Sequence, residues 1–129
     1  MGIKRYHDTD VLTAARRRIK LIFDNFERIY MAFSGGKDSS VQMHLVMEEA
    51  VKRGRKVAVM FIDFEAQYAE TITHISEMFK LYAKNIEPHW ICMPIALRNA
   101  VTNYEPQWLA WDPEKRDLWI RQKPDNCKT

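Results

Sequence analysis

Six consecutive apolar residues, Val57-Ala58-Val59-Met60-Phe61-Ile62, stand between Lys56 and Asp63. β-branched and aromatic side chains in an unbroken run of this length describe a strand with no polar face, and an interior strand covered on both faces belongs to a parallel sheet. Parallel strands need crossover connections, and the flanking sequence supplies helical ones. Residues 39–53 carry Val41, Met43, Leu45, Val46, Met47, Ala50 and Val51, few polar positions among them, so this helix is expected to be mostly buried. Lys52 and Arg53 suit its carbonyl end, and Gly54 suits its C-terminal cap. That reading takes the basic segment 52–56 as a helix end rather than a targeting signal.

The same alternation extends both ways. Thr9 or Asp10 is placed to cap a helix through about residue 25, with Val11, Ala15, Ile19, Ile22, Phe23 and Phe26 on one core-facing stripe. Residues 29–33 read as a short buried strand that enters a tight turn at Ser34-Gly35-Gly36. A third helix is expected over residues 68–84, with Tyr68, Ile72, Ile75, Phe79 and Tyr82 on one stripe, and a third strand over residues 90–93, stopped by Pro94. Helix and strand in strict alternation predict an α/β domain, a layered parallel sheet with flanking helices and right-handed crossovers. Beyond Pro94 the pattern weakens to loop and short helix, punctuated by Pro106, Pro113 and Pro124.

With 129 residues, the chain is one domain's worth of sequence, large enough for a core without disulfide or metal staples. Its longest stretch free of charged side chains, residues 88–97, is about half of what a membrane-spanning helix needs. Lys4, Arg5, His7, Asp8 and Asp10 leave no room for an apolar signal region, and Tyr6 stands where myristoylation calls for Ser or Thr. A cytoplasmic protein is expected. Cys92 and Cys127 are the only cysteines and the histidines are scattered, so neither an iron–sulfur cluster nor a zinc site is expected. Net charge is +3, and all of it falls within residues 1–30. Arg16, Arg17, Arg18 and Lys20 are the densest cluster; they suit a nucleic-acid contact or, preferred here, the solvated face of a helix.

The chemistry concentrates in Phe33-Ser34-Gly35-Gly36-Lys37-Asp38-Ser39-Ser40-Val41, between the first strand and the helix after it. Glycines bring backbone N–H groups close to a ligand, Ser34, Ser39 and Ser40 add hydroxyl donors, and Lys37 adds a mobile positive charge. The following helix aims its free N–H groups at the same place, so the segment favours a phosphate anion. It is not a Walker A loop, because Asp38 follows Lys37 and Met31 holds the earlier glycine position. Ser-Gly-Gly-Lys-Asp-Ser instead resembles the PP-loop of the ATP pyrophosphatase superfamily (adenine nucleotide alpha-hydrolase-like fold), which includes sulfate adenylyltransferase small subunits and phosphoadenosine phosphosulfate (PAPS) reductase-like proteins. Phe61-Ile62-Asp63-Phe64-Glu65-Ala66-Gln67, Trp108-Leu109-Ala110-Trp111 and Trp119-Ile120-Arg121-Gln122 are similar to a PAPS reductase-like branch met in prophages and genomic islands.

The resemblance implies that Ser34, Gly35, Gly36, Lys37, Ser39 and Ser40 cradle the phosphates of ATP or a related adenosine nucleotide. Asp38 would hold Mg2+ through water, or serve only as a first-turn carboxylate. Asp63, at the expected carboxyl end of the second strand, would bind ribose or Mg2+, or simply begin the next helix. If the protein is catalytic, Lys37 and Asp38 serve attack at the α-phosphate, with adenylyl transfer and pyrophosphate release. The alternatives are a non-catalytic, nucleotide-sensing co-activator working with a ParB-like partner, or a truncated remnant. Two departures argue against thioredoxin-linked PAPS reduction: Asp63-Phe64-Glu65 replaces the relatives' Asp-Thr-Gly, and Asn126 and Lys128 flank Cys127 where they carry a Glu-Cys-Gly type motif. Family domains hold about five parallel strands, and only three can be placed here, so the chain is expected to lack the C-terminal part of the family domain. Trp90, Trp108, Trp111 and Trp119 suit core packing or, less directly, a platform for a base or partner; Cys92 is expected to be a small core residue. His44 and His74 read as packing or surface residues, and Arg98 and Arg121 as phosphate contacts or partners of nearby carboxylates.

Overall fold

The computed structural model describes residue 6 and residues 8–129. The Met1-Gly2 start, Lys4, Arg5 and His7 lie outside the described residues. Elements follow in the order α1 (Val11–Asn25), β1 (Tyr30–Ala32), α2 (Lys37–Arg53), β2 (Val57–Ile62), α3 (Ala69–Leu81), β3 (Ile86–Ile91), β4 (Ile95–Arg98), β5 (Gln107–Ala110) and a 3-10 helix, Pro113–Leu118. The first three strands form the expected parallel sheet in the order β1-β2-β3.

Register decides what the sheet buries. Met31 lies opposite Val59, Val57 opposite Ile86, and Phe61 opposite Trp90, so these side chains share one face. They form a single core with Met43, Met47 and Ala50 of α2 and Ile75, Met78 and Phe79 of α3. Two crossovers of the same hand, stepping in the same direction, put both helices on that face. Trp90 closes its edge, meeting Phe61 and Phe79 edge-on at 4.9 and 6.0 Å between ring centroids. The opposite face carries Tyr30, Ala32, Ala58, Met60 and Ile62, all exposed or half-buried. β2 is therefore covered fully on one face only, and β1, read as buried, buries Met31 but leaves Tyr30 75% exposed. The apolar run is symmetrical in sequence, but among the described residues no helix lies over its second face.

Helix α1 begins as expected. Asp10 accepts from the Thr13 N–H at 2.9 Å and from its hydroxyl at 2.6 Å, an N-terminal cap. Its apolar stripe is narrower than expected: Phe23 is buried, Ala15 and Ile19 are half-buried, and Val11, Ile22 and Phe26 are exposed. The helix packs on α2 instead of the sheet, joined by Arg16–Glu48 (3.1 Å) and Arg53–Asp24 (2.7 Å). Arg55 closes its far end, donating to the carbonyls of Phe23 and Phe26 at 2.7 Å and to that of Glu27, with its guanidinium 5.0 Å from the Phe23 ring centroid. The Phe23 carbonyl is among the groups a helix end leaves without partners. Arg17, Arg18 and Lys20 are exposed. In α2, Val41 and Val51 are also exposed, so it is less buried than expected, while Gly54 ends it in the left-handed conformation, φ +61°, as expected.

Two differences lie further on. β3 starts at Ile86, because Glu87-Pro88-His89, a turn-like stretch in sequence, is tolerated in a strand on the rim of a sheet. Lys128 extends that rim by an isolated bridge to Ile91, donating its N–H to the Trp90 carbonyl at 2.6 Å. Past Pro94, β4 and β5 pair as an antiparallel hairpin, Ile95 opposite Ala110 and Arg98 opposite Gln107, where loop was expected. Strands of four residues joined by a long connection offer no tight-turn signature. Truncating the center of the core tests this packing: Phe61→Ala is expected to lower stability by about 3–5 kcal/mol, read as a lower denaturant midpoint at unchanged slope.

Candidate functional site

The loop between β1 and α2 is held by its own hydroxyls. Ser34 Oγ and Ser39 Oγ are 3.0 Å apart, Ser39 Oγ donates to the Gly36 carbonyl at 3.0 Å, and Ser40 Oγ donates to the same carbonyl at 2.9 Å. The Ser40 N–H also bonds that oxygen at 2.9 Å. Three donors thus converge on one carbonyl oxygen, which has two lone pairs. One hydroxyl is in surplus and is free to turn to another acceptor. No side chain among the described residues caps α2 at Gly36, so its first-turn N–H groups are also open to an acceptor. α2 starts at Lys37, earlier than the sequence pattern suggested, which brings Lys37 and Asp38 into that first turn. Their side chains are 91% and 97% exposed and 3.9 Å apart. An uncapped helix start, three hydroxyls and a solvent-exposed ammonium together suit an oxyanion.

Gly35 is what lets this loop lie against α3. Its φ is +75°, and a Cβ there would come within 2.8 Å of Ile75 and 3.0 Å of Thr71. Gly36, in contrast, has room for a Cβ. His74, read as a packing or surface residue, is part of this site: its Nε2 lies 2.8 Å from Ser40 Oγ. His44 pairs instead with the Tyr82 hydroxyl at 2.6 Å.

Asp63 requires a correction. It follows β2 directly, but its carboxylate is fully buried and fully occupied. Oδ1 accepts from the Glu65 N–H at 2.9 Å and from Arg121, while Oδ2 accepts from Trp90 Nε1 at 2.7 Å and lies 3.6 Å from the Cys92 thiol. A carboxylate has about four acceptor positions, and all are used, so neither ribose nor Mg2+ finds a lone pair here. Nor does Asp63 start α3, which begins at Ala69; it closes a local turn through Glu65. Arg121 is accordingly the partner of a carboxylate.

Glu65, absent from the expected site, is the second anchor. It is buried with φ +66°, and it accepts the Trp111 N–H at 2.6 Å and the Ile120 N–H at 3.2 Å. Trp111, fully buried, donates Nε1 to the Asp63 carbonyl at 2.6 Å and meets Trp119 edge-on at 5.2 Å. Core packing thus describes Trp90 and Trp111, whereas Trp108 and Trp119 are half-buried and line a cavity of about 490 Å³ with Glu65 and Asp112. Cys92 is a core residue, as expected. Burial, then the charge of Asp63, then the nearby Cys127 push its thiol far above the ordinary range.

Fold and loop together define a parallel α/β protein of the PP-loop, adenine nucleotide alpha-hydrolase-like class. The chain belongs to the phosphoadenosine phosphosulfate reductase domain family, matching it over residues 28–107, more than half its length. The match takes in β1, the loop, Asp63 and the parallel sheet. The chain is also 38% identical over 121 residues to the uncharacterized protein YbdN of Escherichia coli (strain K12), a match covering 93% of this chain and 29% of that protein. It therefore spans less than a third of the length of this relative. Family membership implies a nucleotide-related function. No helix among the described residues is long and apolar enough to cross a membrane.

Gly35→Ala is expected to cost about 1–3 kcal/mol in backbone strain, with crowding against Ile75 in addition, whereas Gly36→Ala shifts the melting temperature little. Cys92 sets a pH dependence. Its thiol ionises near 9.0 when unperturbed and higher when folded, so its contribution is complete below about pH 8 and is lost as pH rises. Stability should fall by up to about 1.4 kcal/mol per pH unit above pH 9, and denaturation of Cys92→Ala at pH 8 and about 9.5 should show a flatter fall.

Proposed function

We propose that the chain binds ATP or a related adenosine nucleotide through the loop at residues 34–40. The single observation that carries this reading is the surplus of donors at the Gly36 carbonyl beside an uncapped helix start. Ser34, Ser39, Ser40 and the N–H groups after Gly36 receive the phosphate oxygens, Gly35 gives the close approach, and Lys37 swings its ammonium onto the charge. Of the expected metal residues, Asp38 keeps a solvent-exposed carboxylate, 3.9 Å from the Lys37 ammonium. That fits Mg2+, which is commonly held by one or two carboxylates together with substrate phosphates. Mg2+ when bound would neutralise phosphate charge, and Asp38 would hold it through water.

Where turnover occurs, the reaction is attack at the α-phosphate with release of pyrophosphate, and the loop contributes positioning and charge neutralisation. One observation favours a second reading. Asp63 is sealed, so the carboxylate expected to face the nucleotide from β2 is not available to it. Binding without turnover, as in a regulator working with a ParB-like partner, needs no such group. Sustained pyrophosphate release from ATP supports the enzyme, and nucleotide-dependent partner binding without release supports the regulator.

Loss of one charge-assisted contact costs about 1.5–3 kcal/mol. Lys37→Ala is therefore expected to weaken ATP–Mg2+ binding about tenfold to a hundredfold by calorimetry while leaving the melting temperature of the free protein unchanged. Equal affinity in the variant contradicts the loop assignment.

A further inference from the structure

Helix α3 does more than wall the loop. Thr71, His74 and Ile75 lie at three- and four-residue spacing, on one side of the helix. All three meet the loop: Thr71 and Ile75 crowd Gly35, and His74 Nε2 reaches the Ser40 hydroxyl at 2.8 Å. That hydroxyl has one proton and two acceptors within reach, the Gly36 carbonyl at 2.9 Å and, in one tautomer, His74 Nε2 at 2.8 Å. When the proton goes to the carbonyl or to a ligand, Ser40 Oγ can only accept from the imidazole, and that arrangement needs a proton on His74 Nε2.

We propose that His74 is a positioning residue that fixes the polarity of Ser40, holding its hydroxyl as a donor toward a phosphate oxygen. The inference rests on the reading of the loop as a nucleotide phosphate site. In the opposite tautomer Nε2 presents a lone pair and takes the Ser40 proton. Ser40 would then turn only lone pairs toward an oxyanion, which repel it. Because the Gly36 carbonyl is already oversupplied with donors, the Ser40 proton can leave it for a phosphate without stranding the carbonyl, and the bond from His74 stays in place. The Phe33 ring, 6.1 Å from the imidazole centroid, walls the histidine on a second side and keeps it half-buried.

A double-mutant cycle on ATP–Mg2+ affinity tests the coupling. Ser40→Ala, which removes a donor to a charged phosphate, is expected to weaken binding about tenfold to a hundredfold and His74→Ala about threefold to tenfold, and the double variant no further than Ser40→Ala alone. His74→Gln, which keeps an N–H at that reach, should recover affinity, and His74→Glu, which supplies only an acceptor, should bind worse than His74→Ala. Nitrogen-15 NMR of the imidazole reads the tautomer without nucleotide and should show the proton on Nε2. Additive losses, or a proton on Nδ1 alone, overturn the positioning role while leaving the nucleotide site standing. A wild-type protein that binds no ATP–Mg2+ overturns both.

Discussion

A carboxylate shut away from water must find every hydrogen bond it needs inside the protein, and Asp63 finds them on three different segments. Glu65 comes from its own turn, Trp90 and Cys92 from the β3 rim, and Arg121 from the stretch after the 3-10 helix. Its backbone carbonyl holds Trp111 as well. Removing one partner of a buried pair strands the other charge, at about 3–5 kcal/mol, so this junction keeps the irregular last third of the chain on the parallel sheet. Glu65 repeats the device one turn away, spending a left-handed backbone to place its carboxylate under the Trp111 and Ile120 N–H groups.

The same end of the sheet carries the phosphate loop, organised the opposite way. Around Asp63 every acceptor position of the carboxylate is taken, with only Arg121 Nε left over as a buried donor, and the site is closed. Around Gly36 donors outnumber acceptors, and the site is open. An excess of unspent donors on a rigid strand–helix corner is what an anion site requires, since preorganised N–H and O–H groups need no rearrangement when charge arrives. Two carboxylates in comparable sequence settings thus have different fates: Asp38 stands in solvent on a helix start, and Asp63 is built into the core.

How much of this was legible follows from range. The parallel sheet, its two crossover helices and the Gly54 cap are consequences of local periodicity and turn chemistry, and both are written in windows of a few residues. The loop was legible for the same reason: Ser34 to Ser40 act on one another. The role of Asp63 was not, because its partners lie up to 58 positions away and nothing in Asp-Phe-Glu announces Arg121 or Trp90. His74 was hidden similarly, since Ser40 is its neighbour only after α2 and α3 pack. The β4–β5 hairpin failed on signal strength, with short strands and a long connection. The basic cluster of α1 was legible as a solvated face, but the helix's attachment to α2 through Arg53, and to the turn after it through Arg55, required the packed structure.

The loop at residues 34–40 has a rival as a place for a nucleotide in the cavity beside Trp108 and Trp119. Amide chemical shifts followed during titration with ATP–Mg2+ separate them in one experiment. Saturable shifts at Gly35, Gly36 and the first turn of α2, spreading to Thr71–Ile75 on α3, are the predicted result. Shifts confined to the hairpin and 3-10 helix, or none at saturating nucleotide, would contradict the account.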